Sequence, residues 1–172
     1  TLPVGLFKYC DPSKPIFINQ MFQNAIIEDF PEGFFEGLDE VKFISQLFES
    51  ATFLKPLKNG ILKGLVNATS AEKMFYRADI TEIPEGLFDG FGVNSTSVNL
   101  EYTFFGCNGL VSVPARMFDP IADKVKSIKQ CFQNCTNLKS IPEGFGNSLT
   151  NLTNASNAFY GCEALESLPS EM

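Results

Sequence analysis

Apolar residues in this chain recur in fixed columns 26 to 30 residues apart, and no single helical or strand period runs along it. Pro3, Pro31, Lys58, Pro84, Pro114, Pro142 and Pro169 mark the repeat. One residue before each marker stands an aliphatic or aromatic side chain: Leu2, Phe30, Leu57, Ile83, Val113, Ile141 or Leu168. Four before stand Ile27, Leu54, Ile80, Leu110, Leu138 and Leu165. An aromatic column holds Phe22, Phe48, Phe75, Phe104, Phe132 and Phe159. Three residues beyond each of these comes a small side chain: Ala25, Ala51, Ala78, Cys107, Cys135 or Cys162. Four before the aromatic come Ile18, Ile44, Ala71, Leu100, Ile128 and Ala155. Columns that stay apolar in every copy are what stacking demands, because each unit buries its face only against its neighbours.

The columns predict the elements of one unit. The segment Leu138–Ile141 reads as a short extended rung of a parallel sheet. Pro142 fixes φ and cannot donate to a ladder, so the rung ends there, followed by a turn at Gly144. Ile128, Phe132 and Cys135 show the i, i+4, i+7 spacing of one helix face and predict a helix of two or three turns. The expected fold is therefore α/β: a right-handed, leucine-rich-repeat-like solenoid of about six units of 26–30 residues, with short parallel strands and short helices. Residues 1–172 are expected to form one repeat domain, a slice of a longer array, because no polar cap closes either terminal repeat.

Composition narrows the function more by exclusion than by assignment. There is no His among the 172 residues, which excludes Ser-His and Cys-His nucleophile arrangements. The net charge of −7, with scattered Lys, argues against nucleic acid and anionic membrane as partners. No apolar run is long enough for membrane insertion. All five Cys fall in columns that otherwise hold small or medium hydrophobes, so they read as core residues and not as metal ligands. Glu32, Glu85 and Glu143 follow alternate markers. At about 4.8 Å per rung they start roughly 10 Å apart, too far for a shared metal or a retaining glycosidase pair. Five Asn-x-Ser/Thr triplets read as loop chemistry. No cofactor is expected, and the chain is not expected to be an enzyme.

The outward positions supply candidates for partner binding: Tyr76 and Tyr160, which follow the ladder Phe, and Glu82, Ser112 and Ser140 on the extended segment. Tyr is a preferred anchor at interfaces. The phrase Phe-x-x-Cys-x-x-Leu-x-Ser-Ile-Pro, clearest at Phe104–Pro114, Phe132–Pro142 and Phe159–Pro169, resembles the leucine-rich repeats of the BspA-like type found mostly in bacterial cell-surface proteins. The resemblance implies a secreted or surface-anchored, non-enzymatic binding or adhesion module. Its partner would be a protein or an extracellular-matrix component, with glycan recognition or a spacer role in polysaccharide handling as the alternative. End-to-end self-association is a further expectation, from the uncapped terminal repeats.

Overall fold

The computed structural model describes residues 2–11 and 13–170. It does not contain the expected α/β solenoid. No α-helix is present among the described residues, and the strands are short: β1 (Ile26–Ile27), β2 (Thr52–Phe53), β3 (Val98–Asn99) and β4 (Val125–Ser127). β1 pairs with β2 and β3 with β4, both in parallel, giving two sheets of two strands each. The extended rung expected at Leu138–Ile141 is reduced to isolated bridges, Ser112 to Ser140 and Ser140 to Ser167. The single helix among the described residues is a 3-10 segment at Asp119–Lys124 with Pro near its start. Most of the chain is turn and irregular backbone organised into layers.

The reason no helix forms is visible at each ladder Phe. The residue two before it has a left-handed backbone in every copy: Gln20, Gln46, Lys73, Tyr102, Gln130 and Asn157, with φ between 54° and 59°. The residue two after it does the same: Asn24, Ser50, Arg77, Gly106, Asn134 and Gly161, with φ between 54° and 75°. A right-handed helix cannot pass through such residues. The segment is instead a run of linked turns. In the layer of Phe132, the Cys131, Gln133 and Cys135 N–H groups donate to the Ile128, Gln130 and Phe132 carbonyls.

The alternate N–H groups point out of the layer. Gln20, Phe22 and Asn24 donate to the carbonyls of Ser45, Leu47 and Glu49 in the next layer. The same three-bond set recurs at each of five junctions, ending with Gln130, Phe132 and Asn134 donating to Ser156, Ala158 and Tyr160 at 2.7–3.0 Å. This pairing satisfies the main-chain groups that a helix would have satisfied internally.

The aromatic column threads the stack. Phe75 and Phe104 lie parallel with ring centres 5.4 Å apart, Phe104 and Phe132 at 5.2 Å, and Phe132 and Phe159 at 5.5 Å. Phe48, Phe75, Phe104 and Phe132 are fully buried, whereas Phe22 and Phe159 at the ends are half-buried. Some expected core positions fail: Leu54 is 62% exposed, and Ala155 is exposed. Close packing between layers also fixes two glycines. Gly37 and Gly64 have φ of 92° and 102°; a Cβ on Gly37 would meet the Phe7 carbonyl oxygen at 2.5 Å, and one on Gly64 the Phe35 carbonyl carbon at 2.6 Å.

Two stability measurements check this account. Phe104→Ala opens the centre of the column and is expected to cost about 3–5 kcal/mol in urea unfolding. Ser50→Gly is expected to stabilise the protein by about 1 kcal/mol, because Ser50 sits at φ 54° where two other layers carry Gly. A loss on Ser50→Gly would contradict the left-handed assignment.

Candidate functional site

Among the described residues, four of the five thiols are potential nucleophiles in unusual environments, and those environments disarm them. Cys107, Cys131, Cys135 and Cys162 are buried, Cys10 is half-buried, and all five are free. Cys107 donates its S–H to the Phe75 carbonyl at 3.0 Å, Cys135 to that of Phe104 and Cys162 to that of Phe132, each at 3.2 Å. The thiol thus adds a side-chain tie from one layer to the ladder Phe of the layer before. Burial pushes Cys107, Cys131 and Cys162 upward and raises Cys135 to about 12. A thiol that resists ionisation is a poor nucleophile and a poor metal ligand. Among the described residues no group of three or more acidic or Cys side chains could hold a metal ion.

The sequence-predicted contact residues divide between two columns. Tyr76 is half-buried: its ring stacks on Phe105 at 4.7 Å, and the Arg77 guanidinium lies 5.4 Å from its ring centre. Tyr160, in the same column, is 66% exposed and borders an apolar hollow at the last layer. Glu82 and Ser112 are exposed and Ser140 is half-buried. They share a column with Asp29, whose carboxyl is held below its usual range by the Lys58 ammonium at 2.6 Å. Glu82 borders a very small depression beside Lys55 and Pro56. The structure gathers neither pair of Tyr nor the polar trio into one concave site.

A different column carries the more informative surface. One residue before the Ile18 column stand Phe17, Phe43, Ser70, Asn99, Ser127 and Asn154. Parallel bridges link Phe43 to Ser70, Ser70 to Asn99, Asn99 to Ser127 and Ser127 to Asn154. The four polar members each accept the N–H two residues on. Ser70 takes that of Glu72 at 3.1 Å, Asn99 that of Glu101 at 2.9 Å, Ser127 that of Lys129 at 3.3 Å and Asn154 that of Ser156 at 3.0 Å. Such side-chain turns open each run of linked turns and are the reason Ser and Asn occur there.

Phe cannot make that bond, yet Phe17 and Phe43 occupy the first two positions and are 74% and 57% exposed. Each forgoes a turn-capping hydrogen bond and places aromatic surface in water. Both line a groove of about 390 Å³, together with Lys14, Ile16, Glu40 and Lys42. Lys14 pairs with Asp11 at 3.8 Å. The groove is an apolar floor with mixed charge at its rim, suited to binding and lacking any acid-base pair aimed at a common point. The signal for it lay in the sequence: two Phe in a column of Ser and Asn.

No protein-family model matches the chain, and no curated protein does either. Nothing in these comparisons identifies a leucine-rich-repeat family.

The thiol environments give a testable pH dependence. A thiol raised in the folded state supports folding below its unfolded value, near 8.5, and that support is lost as pH rises towards about 12. Unfolding by alkali is therefore expected to set in above pH about 9 and to be delayed in Cys135→Ala. At pH about 8, an aromatic disulfide reagent should label Cys10 first and the other four only after denaturation. Rapid native labelling of several thiols would contradict their placement.

Proposed function

We propose that this protein is a non-catalytic binding module that takes a protein partner on the groove between Phe17 and Phe43. The observation that carries the reading is the replacement of turn-capping Ser and Asn by two exposed Phe in adjacent layers. Exposed aromatic side chains that give up a local stabilising bond mark a surface selected for contact. The rings supply the apolar anchors, while Lys14, Lys42 and Glu40 set the orientation of a partner segment. The resemblance of the repeated phrase to BspA-like units supports a role at a cell surface, with a matrix or host protein as the partner class.

A second reading follows from the same pair. Two exposed Phe rings flanked by polar groups also suit the apolar face of a sugar ring, so a glycan is the alternative ligand.

The test uses the double variant Phe17→Ser, Phe43→Ser, which installs the residue type of the other layers. Its thermal midpoint is expected to equal or exceed that of the parent, because each Ser regains a turn cap. Binding to a panel of immobilised matrix and cell-surface proteins is expected to weaken at least tenfold on substitution. A glycan array with hits lost in the same variant would move the assignment to carbohydrate. Unchanged binding in the variant, or turnover of a substrate in a hydrolase panel, would overturn the proposal.

A further inference from the structure

On the outside of the linked turns, the earlier layers close their polar side chains on one another. The Gln23 amide donates to the Glu49 carboxylate at 3.2 Å, the Gln46 amide donates to the same carboxylate, and the Gln20 amide donates to Gln46 at 3.3 Å. From the layer of Phe75 onward the columns change character. Tyr76 and Phe105 follow Gln23 and Glu49 in their column and stack at 4.7 Å. In the column beside it, Arg77, Gly106 and Asn134 follow Asn24 and Ser50. Arg77 and Glu163 form no ion pair among the described residues. The Arg77 guanidinium rests instead against the Tyr76 ring, 5.4 Å from its centre.

The side chain missing at Gly106 leaves a groove of about 530 Å³ between Arg77 and Asn134. Phe105, Asn108, Thr136 and Glu163 complete its lining. It crosses four layers, whose ladder rings are stepped by 5.2–5.5 Å. Its main chain is already spent. The Arg77, Gly106 and Asn134 N–H groups donate to the Phe105, Gln133 and Tyr160 carbonyls at 2.7–2.8 Å. An extended peptide therefore finds no free edge to pair with there. What remains is side-chain chemistry. Arg77 and Asn134 offer donors, and Glu163 offers an acceptor. The Asn108 carbonyl takes the Thr136 hydroxyl at 3.2 Å, which leaves the Asn108 amide N–H groups to the groove. Phe105, backed by Tyr76, supplies one apolar wall.

The charges select the ligand class. An anion would meet Glu163, and Asp79 beside Asn108 in its column. A cation would meet Arg77. A ligand of uncharged hydroxyls satisfies both, since each hydroxyl can accept from Arg or Asn and donate to Glu. The step from layer to layer is close to the rise of one hexose unit in an extended chain. We infer that this groove binds a neutral oligosaccharide laid along the stack, one sugar unit to a layer. Hydroxyls accept from Arg77, Asn108 and Asn134 and donate to Glu163, while Phe105 packs against the C–H groups of one ring. The site is separate from the Phe17–Phe43 groove and holds whatever that groove binds.

An array of neutral and acidic oligosaccharides tests the inference, followed by calorimetric titration of the best neutral hit as a series of chain lengths. Hits are expected among the neutral members, with affinity rising over the first few sugar units and levelling off near the four that the groove spans. Arg77→Ala and Glu163→Gln are each expected to weaken binding about tenfold. Both side chains are exposed, and Glu163→Gln carries the test if Arg77→Ala shifts the thermal midpoint. The double variant Phe17→Ser, Phe43→Ser is expected to bind the sugar like the parent, which separates this site from the proposed protein-binding groove. An array without neutral hits, or with hits confined to acidic sugars, would overturn the inference. So would neutral binding that survives Glu163→Gln unchanged, or that is lost in the double variant.

Discussion

Three main-chain N–H groups per layer, all aimed at the following layer, are the constraint from which the rest of this protein follows. They are free to point there because left-handed residues two before and two after each ladder Phe divert the backbone from a helix. The diversion costs about 1–2 kcal/mol at each non-glycine site. It is offset by a hydrogen bond to a neighbouring layer and by the burial of a Phe between two others. Neither gain is available to one layer alone, so the energetics of a layer belong to its junctions.

The columns were legible in the sequence because burial acts on side chains, and a side chain that must be apolar in every layer shows in every copy. The backbone was not legible to the same degree. Ile128, Phe132 and Cys135 sit four and three residues apart, and both a helix and a run of four-residue turns bring such positions to one face. The distinguishing sign was the column two after the Phe, where Asn24, Gly106, Asn134 and Gly161 stand: Gly and Asn tolerate a left-handed φ best. The matching column two before the Phe, with Gln, Lys, Tyr and Asn, carries no such sign and obeys only the tertiary hydrogen bonds. Strand positions were misplaced for a related reason. Leu138 and Ile141 are apolar because they pack inward, not because the segment joins a continuous sheet.

The binding surface shows the complementary lesson. Tyr76 was singled out by residue type, but its ring is largely engaged by Phe105 and Arg77. Phe17 and Phe43 looked like ordinary members of an aromatic-rich chain until the bridge from Phe43 to Ser70 defined a column of Ser and Asn, in which the repeat spacing also sets Phe17. A residue gains meaning here by departing from its column, which requires knowing which hydrogen bond the column normally makes.

The one-way ladder also has an electrostatic consequence. A peptide unit is positive at its N–H end, and units that point the same way add, as they do in an α-helix. In a helix the N–H groups face the N-terminal end. In the Phe column they face the C-terminal end, so the field has the opposite sign, positive at the last layer and negative at the first. Bonds beside the column, such as those from the N–H groups of Thr52, Asp79 and Glu166 to the carbonyls of Ala25, Ala51 and Lys139, run the other way, so this polarity is local to the Phe column and is opposed across the rest of each layer.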